Sequence, residues 1–339
     1  MDPIIADKIR GVLFGQAIGD ALGFGTEFLS RSEVKFTYPH GLTEYSQIRY
    51  FSRITNKFEQ LEDWRWQPGD WTDDTDQMLC ILDSLLTHQQ VDIQDIATRF
   101  QNWAITDGFG IGGTVYKIVN DPEFLLAPHR IAEEYWESKN RQTAANGGVM
   151  RTSVLGIWEY FNQEKVRINA ENICKITHAD PRCIGSCIAV SLAISHLLQS
   201  VEDINLLVDQ IEYDVKSFHP EIEDYFAKAK ADSLDYLDLD EGLNANESYS
   251  LSYTLKTLGA GFWALLHAAN FREGITAIIQ EGGDADTNAA VAGALLGARF
   301  GYQEIESNLI EGLIYKQELE ARAKDLIKLI DITILNSTR

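Results

Sequence analysis

Apolar residues recur at three- and four-residue spacing along most of this chain, a period that predicts α-helices over strands. Ile4, Ile5, Ile9, Val12, Leu13 and Ala17 form the apolar face of a first helix, which Asp2 starts as N-cap with Pro3 at the first helical position. Met78, Leu79, Ile81, Leu82, Leu85 and Leu86 mark a second, and residues 93–104 a third. Core helical patterns return over 253–270 and 276–300, and an amphipathic helix closes the chain over 317–335. Residues 30–70 read as irregular; Trp64, Trp66 and Trp71 there serve either as the rim of a cleft or as anchors of the loop to the body. Gly108 to Gly113 read as a flexible connection, and the Asp- and Glu-rich stretch 200–247 as solvated helix and loop. With no fixed-period repeat and no break in composition, the expectation is one domain over residues 1–339.

One strip in the first helix needs a partner. Gly11, Gly15, Gly19 and Gly23 recur every fourth residue, each costing about 1 kcal/mol in helix propensity relative to Ala. Ala289, Gly293, Gly297 and Gly301 repeat the spacing late in the chain, and two such strips allow two backbones to approach closely. The alternative is a general preference for small residues in helix cores.

Composition narrows the partners. The 339 residues are 45% hydrophobic and carry a formal charge of -22, enough to bury a sizeable core and the wrong sign for a nucleic-acid or anionic-membrane surface. A small anionic ligand is still compatible, because bound divalent cations and a few arginines reverse the field inside a cleft. The N-terminus lacks the pattern of a signal peptide and no stretch reaches 18 apolar residues, so the expectation is a soluble, cytoplasmic protein. The four cysteines, Cys80, Cys174, Cys183 and Cys187, are too few for a disulfide scaffold and read as buried thiols. Cys174, His178, Cys183 and Cys187 also have the spacing of a zinc site, but Cys183 and Cys187 fall in an apolar helical run that suits core side chains better.

The chemistry concentrates in two acidic segments. Trp71-Thr72-Asp73-Asp74-Thr75-Asp76-Gln77 and Gly282-Gly283-Asp284-Ala285-Asp286-Thr287-Asn288 each place carboxylates and a hydroxyl just before a helical pattern. Alone, either is explained by capping and by the helix dipole. Together, and joined if the glycine strips pair, they collect four carboxylates whose mutual repulsion calls for cations. Oxygen-only donors favour magnesium, manganese or calcium over zinc. Asp284 and Asp286 also fit the pair of haloacid dehalogenase-type phosphatases, but the preceding Gly282-Gly283 and the short remaining chain do not suit that fold.

With these segments, three further stretches resemble the ADP-ribosylglycohydrolase family: Gly15-Gln16-Ala17-Ile18-Gly19-Asp20-Ala21-Leu22-Gly23 followed by Glu27, Asn146-Gly147-Gly148-Val149-Met150-Arg151, and Thr177-His178-Ala179-Asp180. The five occur in the family's order across nearly the whole chain. The resemblance implies an all-α fold, a single compact orthogonal helical domain with a metal-containing cleft. It implies two magnesium or manganese ions held by Thr72, Asp73, Asp74, Asp284, Asp286 and Thr287, with Glu27 beside them as ligand or gate. Asn146, Gly147, Gly148, Val149 and Met150 would offer backbone N–H groups to a diphosphate, and His178 would contact ribose or phosphate. Arg151 would pair with phosphate or brace a metal-bound carboxylate.

The implied reaction is hydrolysis of the bond between ADP-ribose and an acceptor, either a modified protein side chain or a small conjugate. Asp73, Asp74, Asp284, Glu27 and Asp107 are its candidate catalytic groups. Arginine-directed members tend to carry an Asp before an Ile-Gly in the loop after the first metal helix, where this chain reads Gly110-Ile111-Gly112. Asp107, a metal-bound carboxylate or a different linkage specificity would fill that gap. A noncatalytic ADP-ribose binder and a nucleotide phosphohydrolase are the alternative functions; acceptor and oligomeric state are not legible.

Overall fold

The computed structural model describes residues 1–52, 57–59, 66–243 and 251–337; Trp64 lies outside them. The first half contains α1 (Pro3–Gly23), α2 (Arg31–Thr37), α3 (Asp73–His88), α4 (Ile93–Thr106), α5 (Gly113–Val119), α6 (Pro128–Ser138), α7 (Ser153–Ile157) and α8 (Gln163–Cys174). Then follow α9 (Pro181–Leu198), α10 (Ile204–Val215), α11 (Glu221–Lys230), α12 (Thr254–His267), α13 (Phe271–Ile279), α14 (Ala285–Phe300), α15 (Ser307–Glu311) and α16 (Lys316–Ser337). Two three-residue strands, Tyr50–Ser52 and Lys57–Glu59, pair antiparallel with Phe51 opposite Phe58. One contiguous apolar cluster runs from Ile9 to Ile330. The α9 helix is apolar and long enough to cross a membrane by length and composition alone, but 83% of it is buried inside the protein.

The central pair is α1 against α14, antiparallel and in close register. A Cβ added at Gly15 would stand 2.1 Å from the carbonyl oxygen of Gly293, and one at Gly19 would stand 2.0 Å from that of Ala289. The contact is mutual, since a Cβ on Gly297 would lie 1.9 Å from the oxygen of Gly11. Gly23 meets Ala285, so the strip ends one residue before Asp286; at its other end Gly301, the C-cap of α14, also packs on α1, its carbonyl carbon 3.0 Å from a Cβ added at Gly11. The paired-strip expectation therefore holds, and close backbone contact offsets the poor propensity of the glycines.

Several local expectations change. Residues 30–37 are not irregular: Ser30 and Glu33 form a capping box that starts α2. The pattern over 276–300 is two helices, broken where Gly282 and Gly283 both take φ +71. That turn is stitched to the segment after α1, with Phe28 N–H donating to Gly283 O (2.7 Å) and Gly283 N–H to Leu29 O (2.8 Å). The acidic stretch is partly docked, since Asp240 accepts from Arg31 N–H at 2.9 Å and Asp235 pairs with the Arg31 guanidinium. Trp66 is buried against Phe24, and Trp71 donates from Nε1 to Asp76 at 2.8 Å, so both are anchors.

The α1–α14 contact makes a direct stability prediction. Gly15→Ala must push two backbones apart and is expected to lower stability by about 2–4 kcal/mol. Gly112→Ala, with nothing within 4 Å of its added Cβ, should change it by less than about 0.5 kcal/mol. Denaturant melts of the two variants beside the parent check this.

Candidate active site and metal centre

The C-terminal end of α1, the N-terminal ends of α3 and α14, and the loop before α7 meet at one place. Asp20, the one charged residue in the buried half of α1, reaches α3 from the side. Its Oδ1 accepts from Thr72 N–H (3.0 Å) and Thr72 Oγ1 (2.8 Å), and its Oδ2 from Thr75 N–H (3.0 Å) and Thr75 Oγ1 (2.6 Å). Asp20, not Thr72, thus satisfies the first amides of α3. Gln16, one turn earlier, donates to Asp74 O (3.2 Å) and Met150 O (2.9 Å) and accepts from Ser153 Oγ, tying three elements together.

The carboxylates then fall into two groups that share a member. Oxygens of Asp20, Asp74 and Asp286 lie within 4.8 Å of one another, and so do oxygens of Glu27, Asp284 and Asp286. Thr287 Oγ1 donates to Asp74 Oδ2 at 3.3 Å, while Asp74 Oδ1 is buried with no hydrogen-bond partner. Asp73 stands beside the groups. Its Oδ2 accepts from Gln77 Nε2 at 2.9 Å, and its Oδ1 turns to Gly110, where an added Cβ would lie 2.7 Å away.

Burial dominates the electrostatics. It raises the carboxyl groups of Asp73, Asp74 and Asp286 well above the usual range, with neighbouring carboxylates pushing the same way. Burial also raises Asp20, to about 6, against four hydrogen bonds that favour its ionised form. A clustered, buried set of acids with an orphaned oxygen is unfavourable alone and suits a hard cation. Among the described residues, the Cys174, His178, Cys183 and Cys187 set forms no such group, and all three of those cysteines are buried free thiols.

Above the acids opens a cavity of about 460 Å³, lined by Glu27, Thr72, Asp73, Asp284, Asp286 and Thr287. Asn146, Gly147, Met150 and His178 line it too, as do residues 109–115, Phe24 and Phe28. His178 Nδ1 lies 2.8 Å from Thr177 Oγ1, and its buried Nε2 has no partner. Burial, and then the charge of Arg151, lowers this imidazole to about 3, so it is neutral.

Five of the expected roles change. Gly148 and Val149 do not line the cavity: Gly148 faces the sulfurs of Cys174 and Cys187, and Val149 is a core side chain. Asn146 and Met150 have no backbone amide to offer a diphosphate, because the first donates to Ser252 O at 3.0 Å and the second to Asn146 O at 3.2 Å; the Asn146 side chain instead braces Asp284 Oδ2 at 3.1 Å. Asp107 lies in an adjoining recess with Asp70, Asp76 and Arg322, outside the main cavity. Arg151 braces, as one alternative held, but through Gln77.

The residues missed were Asp20, Gln16, Gln77 and the Thr257–Asn288 pair behind Asn146. A single Asp in an otherwise apolar and glycine-rich half-helix was the available signal for Asp20. The other four are buried polar side chains whose partners lie far away in sequence.

Three comparisons agree with this geometry. The chain matches the family described as ADP-ribosylglycohydrolase over residues 1–333. It is 24% identical over 322 residues to ADP-ribosylarginine hydrolase Tri1 of Serratia proteamaculans (strain 568), covering 94% of this chain and 79% of that one. It is 25% identical over 326 residues to ADP-ribosyl-[dinitrogen reductase] glycohydrolase of Rhodospirillum rubrum, with 94% and 95% covered. ADP-ribosylhydrolase ARH3 of Gallus gallus is 26% identical over 354 residues, with 95% and 93% covered. A solved structure titled ADP-ribosylglycohydrolase-related protein complex shares the fold at a TM-score of 0.66 and 24% identity, covering 96% of this chain and 99% of that one. With the acidic helix starts, the glycine loop and the paired helices all inside the matched region, this chain belongs to the ADP-ribosylglycohydrolase family.

Proposed function

We propose that this chain hydrolyses the glycosidic bond between ADP-ribose and an acceptor, with two divalent cations at the shared acidic groups. The observation that carries the reading is the floor of the cavity: two oxygen-only carboxylate groups joined through Asp286, with Asp74 Oδ1 buried and unpartnered. The donors suit magnesium or manganese, and Thr72, Asp73, Asp74, Asp284, Asp286 and Thr287, with Glu27 and Asp20 adjacent, are the residues to hold them. Bound there, such ions polarise sugar hydroxyls and lower the pKa of a water.

The chain's own residues do the remainder. Gln77 and Asn146 each occupy one oxygen of Asp73 and Asp284, which limits how these carboxylates can turn. His178, which also lines the cavity, offers a neutral ring to the ligand. Glu27 is the half-buried member of the acidic groups and lines the cavity, which suits it to hold or move a proton beside a leaving group. The clustered carboxylates also favour a positively charged, oxocarbenium-like transition state.

The acceptor is a modified protein side chain or a small ADP-ribose conjugate. Gly110 weighs against a loop aspartate as base: its φ is +79, and any Cβ there would press on Asp73 Oδ1. The same feature favours a second reading, a binder of ADP-ribose that does not cleave.

Incubation with ADP-ribosylated arginine, ADP-ribosylated serine and O-acetyl-ADP-ribose separates the two. Free ADP-ribose should appear from at least one of them only with magnesium or manganese present, and Asp74→Ala or Asp284→Ala should slow it by at least about 100-fold. Binding of ADP-ribose without release from any would instead identify the binder.

The raised carboxyl groups set a pH signature for the metal-free protein. Folded Asp20, Asp73, Asp74 and Asp286 keep protons that the unfolded chain gives up near pH 4, so their contribution to stability is fully present below about pH 4 and is lost as pH rises from there through their folded values, about 6 for Asp20. Without divalent ions, Tm should drop by at least about 5 °C between pH 4.5 and 8. Saturating manganese should remove that drop, and a flat metal-free profile would mean the acids are not confined as described.

A further inference from the structure

A chain of buried hydrogen bonds joins Asp73 to His178, and its directions are set by which atoms can only donate. Arg151 is fully buried and has no acceptor atom. Its Nη1 lies 2.7 Å from Gln77 Oε1, so the amide oxygen faces the guanidinium and Gln77 Nε2 must donate to Asp73 Oδ2, at 2.9 Å. Its Nη2 lies 2.6 Å from Thr177 Oγ1, so that hydroxyl accepts from Arg151. The Thr177 proton then has one acceptor in reach among the described residues, His178 Nδ1 at 2.8 Å.

We infer that Arg151 and Thr177 are positioning residues that lock His178 into the tautomer with its proton on Nε2, making that atom an obligatory hydrogen-bond donor into the cavity. Nδ1 receives the Thr177 proton and so carries none, and a neutral imidazole then has its proton on Nε2. Nε2 is buried without a partner and belongs to a cavity-lining ring. The neutral state is supported independently by burial, which holds the ring near 3.

Two consequences follow for specificity. The ligand must present an acceptor lone pair at this point, such as a phosphate oxygen, a sugar hydroxyl or an adenine ring nitrogen, and a guanidinium or ammonium group is excluded there. His178 is also excluded as a metal ligand through Nε2 and as a base. A cationic acceptor therefore lies away from this wall, and the wall serves the ADP-ribose part of the substrate. The identity of the ligand rests on the function proposed above; the tautomer does not.

Long-range 1H–15N spectra of the full-length, 15N-labelled chain, with His178→Gln to assign the signal, read the tautomer directly. The expected pattern at neutral pH is a neutral ring protonated at Nε2; a proton on Nδ1, or a charged ring, overturns the inference. In Thr177→Val the lock is gone, and the Kd for ADP-ribose should weaken about 10-fold with manganese affinity unchanged, while Thr177→Ser restores it to within about threefold. Equal ADP-ribose affinity in Thr177→Val and the parent also overturns it. If the parent shows the Nε2 tautomer yet binds no ADP-ribose, the positioning of His178 stands and the functional reading fails.

Discussion

The backbone-to-backbone approach of α1 and α14 is the constraint on which the rest of the structure depends. Where Gly15 meets Gly293 and Gly19 meets Ala289, no side chain separates the helices, so their register is set to within a fraction of a residue. The pairing continues to Gly23 and Ala285, which delivers Asp20 and Glu27 from one chain segment to Asp284 and Asp286 from another. A single Cβ in the strip would displace the carboxylates by about the length of the interaction they must make. The glycines are thus a device for placing acids, and their low helix propensity is the cost of that precision.

The placement creates an electrostatic conflict that the surrounding polar groups only partly relieve. Asp20 is satisfied by four donors, Asp73 by Gln77 and Asp284 by Asn146, while Asp74 keeps an oxygen with no partner. Burial raises the affinity of these acids for protons, and a divalent cation relieves the same repulsion with more charge at shorter range. Bracing one oxygen of a carboxylate while leaving the other open orients it before a cation arrives, which reduces the reorganisation needed on binding. The Gln77–Arg151–Thr177 relay extends that bracing through buried side chains behind the cavity to His178, so the acids and the histidine are held by one network.

Much of this was legible in the residues, for a physical reason: close helix packing and hard-cation binding both demand particular residue types at fixed spacing. Small residues every fourth position announced the α1 strip and its partner, and acids beside a hydroxyl at two helix starts announced the floor of the site. What was illegible depends on partners distant along the chain. Nothing local to Asn146 says that its amide is spent on Ser252 and its side chain on Asp284. Nothing in Asn146 to Met150 distinguishes Gly147, which lines the cavity, from Gly148, which backs onto two cysteine sulfurs. Asp107 follows α4 directly and lies three residues before Gly110, yet Phe109 and Gly110 line the main cavity while Asp107 lines the adjoining recess. Asp20 lay in a stretch matched as a motif, but its role as the cap of another helix required the fold.

The most direct test of the central claim is anomalous diffraction at the manganese edge from crystals of the chain grown with manganese. Two peaks sharing Asp286, one reached by Asp74 and the other by Asp284 and Glu27, are the predicted result. No peak among these carboxylates, or manganese bound elsewhere while they remain protonated, would contradict it.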